Sequence, residues 1–437
     1  MQTRSRYRWF VVVVFFIFIL LHQSDKLLIG PLTTPIMEAF GIDEVKMGAV
    51  VTGALLVGTL LYPLWGYLYD RYTRSKLLAL ASFIWGTTTW LSAIAPTYST
   101  FMITRASTGV DDSSYPGLYS LISDYFSPSM RGKVFGMLQI GQPLGYMIGL
   151  LMATMLSGII GWRNIFIITG SLGLVMAVVI FFGVKEPPRG QSEPEMEGLE
   201  QVGVYKFNWE DAKGLFRKRT LIFLYIQGFI GVFPWNVITY WFFRYLETER
   251  HFNPNEVLMT MGPAILVLAG GYFVGGAIGD AVFKRIPRGR LITSLFGVIS
   301  GAVLLYFTMN VPLENKLLFQ ILLMLTALFI PFASPNVIST VYDVTLPEIR
   351  STALSVEYFI ENFGAALAPL LAGYFTVNIF GELGQSILVI CLAAWAVDAF
   401  FLLFVTYFVP GDIRTLRTQL DERAEHERKL QEAAARS

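Results

Sequence analysis

The sequence predicts an all-α membrane protein of twelve transmembrane helices in two pseudo-symmetric six-helix bundles, with both termini cytoplasmic. Three observations carry that prediction. The chain of 437 residues is 54% hydrophobic and 15% charged, where soluble chains carry about 25% charge. Its apolar residues fall in runs of about 20, the number a helix needs to cross about 30 Å of hydrocarbon. Its basic residues lie on alternate sides of those runs.

Taken in order, the runs cover 9–31, 46–69, 77–95, 99–126, 132–159 and 163–184. A polar stretch follows, then 220–246, 256–283, 290–309, 316–343, 351–380 and 385–409. Arg4, Arg6 and Arg8 ahead of "WFVVVVFFIFILL" mimic a signal peptide. The run has no small-residue cleavage site and continues into Asp25 and Lys26, so it reads as a retained first span. The stretch between the halves holds "EPPRGQSEPEMEGLEQ", a linker composition, and then "WEDAKGLF", a short amphipathic helix. The expected organisation is therefore a bundle over 1–184, a cytoplasmic linker over 185–219, a second bundle over 220–410 and a charged, solvated tail helix over 411–437.

Counting Lys and Arg against this map fixes the orientation. With the N-terminus inside, 26 of the 33 basic residues lie on inner segments. Lys46, Arg163, Arg244, Arg250 and Lys316 are outside, and Lys26 and Arg105 are within the membrane. The even number of spans follows, as does a multi-pass protein of the cell membrane.

The composition also excludes functions. A net charge of +1 without a basic stripe gives no reason to expect nucleic acid. The single cysteine, Cys391, lies in an apolar run and permits no disulfide framework. No phosphate-cradling glycine loop, metal-ligand cluster or nucleophile triad occurs, and His22, His251 and His426 are scattered. An enzyme, a metal or cofactor site and ATP-driven pumping are thus not expected; His22 reads as a satisfied helix-packing group.

The halves resemble each other. Gly66, Asp70 and Arg74 after the second span match Gly276, Asp280 and Lys284 after the eighth. "SPSMRG" precedes the fifth span as "LPEIRS" precedes the eleventh, and Gly145 and Gly364 each stand fourteen residues beyond Arg131 and Arg350. Matches at equivalent positions indicate an internal duplication, which in transporters places the binding site between the repeats.

"GYLYDRYTRSK", Gly66 to Lys76, resembles the loop signature G-x-L-x-D-R-x-x-R-x-[KR] of the major facilitator superfamily. The resemblance implies that Asp70 faces the start of the span after Arg350, with Arg71 and Arg74 as gate partners and Asp280 as the counterpart. "SDKLLIGPL" and "RASTGVDDSSY" resemble the first and fourth spans of spinster-like lipid transporters, with Lys26 in place of an arginine and Asp112 in place of a glutamate. Organic-anion symporters of the sialin and hexuronate type share the same charged positions and "GWRNIF". "GMLQIGQPLG" is similar to a fifth-span motif of antiporters, but reads first as ordinary small-residue packing.

Ionisable groups inside hydrocarbon cost several kcal/mol unless they face a partner or a water-filled cavity. Asp25 and Arg105 both fall about 9 Å below the outer surface, at one level, so they can pair. His22, Asp25 and Lys26 share a face of the first span, and Arg105 and Asp112 a face of the fourth. Asp111 points about 100° from Asp112, so the two aspartates have different tasks. Pro116 breaks a backbone bond just below them. Glu357 and Glu361 lie one turn apart in the eleventh span, where two carboxylates cannot both ionise cheaply.

The expected site is Asp25, Lys26, Arg105, Asp111, Asp112 and Tyr115 with Glu357 and Glu361. Gln139, Gln142, Trp235, Asn236, Tyr240 and Asn336 are plausible linings. Asp112 first, and Glu361 second, carries a proton as access alternates. The other possibility is a fixed ion-pair network locking spans 1 and 4. The expected partners are protons, membrane lipids and a substrate, in a monomer. That substrate is a lysolipid or sphingoid phosphate, a small organic anion, or a drug. A passive scramblase or receptor is the rival class.

Overall fold

The structure, a computed structural model, describes residues 2–29, 32–42, 44–196 and 207–436. It is all-helical, with no strand among the described residues. Nine helices there are long and apolar enough to cross a membrane by length and composition. The expected fourth span is not among them, because it is broken into three pieces and carries Arg105, Asp111 and Asp112.

The chain divides into two compact units. The first comprises Met1–Ser127, Leu138–Asn208 and Pro347–Ser355; the second comprises Pro128–Met137, Trp209–Leu346 and Val356–Ser437. Each unit is thus built mainly from one sequence half and takes in a short segment of the other.

In the first unit α1 (Gln2–Lys26) packs on α9 (Gly141–Ile160) and α10 (Trp162–Gly183), and α10 packs on α4 (Arg74–Ala93). Gly145 and Gly149 bring α9 against the α1 backbone: a Cβ on either would lie 2.4 Å from the carbonyl of Leu20 or Ser24. The "GMLQIGQPLG" stretch therefore has a packing role. The short α2 (Thr33–Phe40) closes one end over Phe101, Trp162 and Phe166.

The interrupted span consists of α5 (Tyr98–Ser107), α6 (Gly109–Asp112) and α7 (Tyr115–Ser123), lying on α3 (Glu44–Arg71). The breaks have local causes. The Thr108 and Ser113 hydroxyls donate to the carbonyls of Arg105 and Val110, competing with the helix for its own acceptors. Pro116 has no N–H for the carbonyl of Asp112, which accepts instead from the Tyr62 hydroxyl at 3.3 Å. Gly109 lets α6 lie directly on α3, since a Cβ there would meet the Ala54 carbonyl at 2.2 Å.

In the second unit α12 (Arg219–Gly231), α13 (Phe233–Thr248), α14 (Pro254–Phe283), α15 (Gly289–Met309), α16 (Lys316–Phe329) and α17 (Ala333–Asp343) pack with α18 (Arg350–Phe375) and α19 (Leu383–Arg436). It also holds α8 (Pro128–Gln139) in part and α11 (Trp209–Gly214), the helix read from "WEDAKGLF". Helix α19 runs unbroken into the tail. That tail is not solvated all round: Ile413, Leu416, Leu420 and Ala424 form a buried stripe, while Glu425 and Lys429 pair on the exposed side. The expectation of a wholly solvated tail is corrected here, because the apolar residues recur at helical spacing among the charges.

Candidate functional site

The charges of spans 1 and 4 meet inside the first unit. Asp25 of α1 is 1% exposed, and four donors converge on its carboxylate. Trp85 Nε1 donates at 3.1 Å, Thr89 at 3.0 Å, Arg105 Nη1 at 3.3 Å and Thr169 at 2.6 Å. The Arg105 guanidinium also lies 5.0 Å from the Phe166 ring centroid, a cation–π contact in a desolvated place. A buried charge is tolerable only when paired and hydrogen-bonded, and this pair satisfies both conditions.

A second pair joins Lys26 Nζ to Asp112 Oδ1 at 3.1 Å. Here the lysine side chain is 38% exposed, against 4% for that of Arg105. Of the two cations, Lys26 is the one open to a ligand. Arg105 is committed to holding α1, α4 and α5 together.

Asp111 points elsewhere than Asp112, as the 100° step of a helix requires. It meets His22, whose Nε2 contacts its Oδ2. His22 Nε2 is also 3.5 Å from Asp112 Oδ1, and its Nδ1 is 2.7 Å from the Tyr115 hydroxyl. Gln23 donates to the same hydroxyl at 3.1 Å. His22 is thus packed and satisfied, with partners that the sequence did not name. It stacks on Phe18, but its two nitrogens tie Asp111 to Tyr115. The missed signal is its place on the face of Asp25 and Lys26, one turn away.

In the second unit Glu357 and Glu361 project from α18 onto Gly228 of α12. A Cβ there would lie 3.7 Å from Glu357 Cγ and 3.2 Å from Glu361 Cγ. Glu357 is buried, and neither carboxylate oxygen has a hydrogen-bond partner among the described residues. Asp398 of α19 is also buried, and its carboxylate and the Gln227 amide of α12 both lie beside Gly231. Tyr225 and Tyr272 approach the glutamate pair. Asn336, expected as a lining, is fully buried and donates to the Gly275 and Phe332 carbonyls, which makes it a packing group between α14 and α17. Trp235 and Tyr240 are exposed.

The loop motif places a carboxylate on two backbone N–H groups in each unit. Asp70 accepts from the backbone N–H groups of Ser351, at 3.0 Å, and Thr352, at 2.6 Å, at the start of α18. Asp280 does the same for Gly132, at 3.1 Å, and Lys133, at 2.8 Å, one turn into α8. In each case the two donors directly follow an arginine, Arg350 or Arg131, so the duplication gives each carboxylate equivalent backbone partners; those of Asp70 lie at a helix N-terminus, where orphan donors and the dipole favour an anion. Gly66 permits the approach: a Cβ on it would lie 2.7 Å from Ser355 Cβ.

The cations differ from expectation. Arg189 of the linker, not Arg71 or Arg74, lies 3.7 Å from Asp70. Arg71 is exposed and bonds the Tyr67 hydroxyl. Arg74 is buried between Asp124, at 2.6 Å, and Glu186, at 2.7 Å. Arg350 meets Asp124 at 3.6 Å and Glu193. In the second unit Arg290 joins Asp280 at 2.8 Å and Asp343, with Arg131 at 3.9 Å from Asp343. Glu186, Arg189 and Glu193 were missed because a Pro- and Gly-rich composition reads as a solvated linker.

No group of His, Cys, Asp and Glu able to hold a metal ion occurs among the described residues. Residues 14–330 match the family model of the Major Facilitator Superfamily. Protein spinster of Drosophila melanogaster is 28% identical over 398 residues, covering 87% of this chain; the chain spans 64% of that relative's length. The probable galactarate/D-glucarate transporter GudP of Bacillus subtilis is 24% identical, covering 92% of each chain. A solved bacterial homologue of the human lysosomal transporter Spinster, in an inward-facing and unoccupied conformation, shares the fold. It has a TM-score of 0.55 and 17% identity, and the match covers 94% of this chain and 98% of that one. The chain is a multi-pass membrane protein that belongs to the Major Facilitator Superfamily.

Proposed function

We propose that the chain is a secondary active transporter that works by alternating access and is driven by protons. It crosses the cell membrane in twelve spans, with both termini cytoplasmic. Its substrate is an anionic amphipath, a lysolipid or sphingoid phosphate, whose head group Lys26 meets at the edge of the buried cluster. One observation carries this reading: a 38% exposed ammonium stands beside an ionic cluster otherwise sealed in the unit. The likeness to spinster proteins supports a lipid, and Asp112 opposite Lys26 supports coupling, because an anion arriving at Lys26 competes with that carboxylate and favours its protonation. Glu357 and Glu361 form the second carboxylate site. Asp70 and Asp280 act as matched latches, since a carboxylate leaving its two backbone partners exposes both donors at once.

The likeness to GudP supports a second reading, in which the solute is a sugar acid. Thermal stabilisation of the purified protein by each ligand class, at mildly acid and at neutral pH, separates the two. Lysolipids and sphingoid phosphates are expected to stabilise the wild type, and Lys26→Ala to abolish the shift. Stabilisation by sugar acids alone would replace the lipid reading. A lipid shift that survives Lys26→Ala would remove the lysine from the site.

A further inference from the structure

We propose that His22 and Asp111 form a proton-binding site of their own, beside the Asp25–Arg105 and Lys26–Asp112 pairs, and that the Tyr115 hydroxyl changes its hydrogen-bond partner with the state of that site. The first argument is charge balance. Asp25 is matched by Arg105 and Asp112 by Lys26, which leaves Asp111, 0% exposed, as a third carboxylate without a fixed cation. A net charge left in a low-dielectric interior is costly. Its neighbour is an imidazole that becomes a cation by taking one further proton, so the cluster is neutral with His22 as the imidazolium.

The groups facing His22 come from every side. Lys26 on α1 and Asp112 on α6 act on the imidazole, Tyr115 on α7 bonds it and Trp85 on α4 packs edge-on against it, while Asp25 on α1, itself paired with Arg105 on α5, and Tyr69 on α3 act on Asp111. Asp111 Oδ1 has no hydrogen-bond donor among the described residues, so the carboxylate depends on His22.

The second argument is the hydrogen-bond chain. Gln23 donates to the Tyr115 oxygen, so in the neutral state the hydroxyl donates to His22 Nδ1 and the Nε2–H faces Asp111. This tautomer is assigned from the network. When a proton binds Nδ1, no other bond breaks, but the contact with Tyr115 reverses: Nδ1–H now donates to the phenol oxygen. The hydroxyl proton must then turn away from His22, within reach of the field of Asp111 and Asp112, both of which act on Tyr115. Protonation of His22 thereby frees the Tyr115 hydroxyl to donate to a new partner. Only the use of this site in coupling rests on the transport reading.

The chain has three histidines, and His251 and His426 are exposed, which makes a direct measurement practicable. Full-length protein labelled with 15N-histidine in lipid nanodiscs gives the imidazole shifts against pH; His251→Gln and His426→Gln assign the His22 signal by elimination. The result expected is a change of His22 from neutral to imidazolium between about pH 8 and 5. In Asp111→Asn the transition moves to lower pH by about one unit, a tenfold weaker hold on the proton. A His22 signal that stays neutral throughout would overturn the proposal and leave any proton on Asp112. One unmoved by Asp111→Asn would overturn it as well. Proteoliposomes supplied with a lysophospholipid or a sugar acid separate this from the transport reading. Titration without proton-driven flux sinks the transport reading, whereas flux without titration sinks the site.

Discussion

Replacing Asp25 by asparagine tests whether the cluster is the lock between α1, α4, α5 and α10. The change keeps the size of the side chain and removes its charge. It leaves Arg105, with 4% of its side chain exposed, without a counter-ion, and replaces one acceptor oxygen by an amide that donates. Breaking a buried pair by removing one partner costs about 3–5 kcal/mol, mostly the uncompensated charge left behind. The hydrogen bonds from Trp85, Thr89 and Thr169 are partly retained, because the remaining oxygen still accepts, and each one lost adds about 1.5–3 kcal/mol. The double variant Asp25→Asn/Arg105→Met removes the stranded cation and should recover at least about 2 kcal/mol relative to the sum of the single changes, within the range seen for residues in direct contact. Reversible unfolding of the four proteins in mixed micelles reads this coupling. Strict additivity would refute the reasoning, because it would mean that the charges of Asp25 and Arg105 do not sense each other.

Four further outcomes follow from the geometry. Gly109→Ala places a methyl group on the Ala54 carbonyl, a backbone atom that cannot yield cheaply, so α6 must lift off α3; thermal stability should fall by about 1–3 kcal/mol. Asp70→Asn and Asp280→Asn each take a charged acceptor from two backbone N–H groups, and each should cost about 0.5–2 kcal/mol; accessibility of a cysteine introduced beside Ser351 or Gly132 should rise in the matching variant only. The Asp70 carboxyl, one residue beyond the expected 46–69 span, is pushed up by burial to about 6, against the pull of Arg189 and Thr352. Between the ordinary carboxylate range and about 6 the folded form holds a proton that the unfolded chain has released, so this group's contribution to stability falls as pH rises across that window. The same sign holds for local opening, which exposes the carboxyl and returns it to the ordinary range. Accessibility beside Ser351 should therefore fall on acidification through about 6, with Asp70→Asn levelling the profile. Lys26→Arg should retain part of the ligand-induced thermal shift that Lys26→Ala abolishes, since the charge persists while its geometry changes.

The membrane class and the transporter family were legible in the residues themselves. Apolar runs of span length and the loop signature from Gly66 to Lys76 are local patterns, and hydrocarbon leaves the backbone few alternatives to a helix. Helical rise alone set Asp25 and Arg105 at one depth, and the 100° step alone sent Asp111 and Asp112 to different partners. The duplication likewise showed that Asp70 and Asp280 are equivalent. What depends on long-range approach was not legible. Trp85, Thr89 and Thr169 carry no sign of their shared acceptor, because their spacing along the chain says nothing about which faces of α4 and α10 turn toward α1. Arg189 and Glu193 look like solvated linker charges until the chain folds back on Asp70 and Arg350. His22 looked like packing, since only tertiary structure brings an unmatched Asp111 and the Tyr115 hydroxyl onto its two nitrogens. Sequence determined which charges had to be compensated within the membrane; the packing of the helices decided by what, because desolvation requires a partner and only proximity selects it.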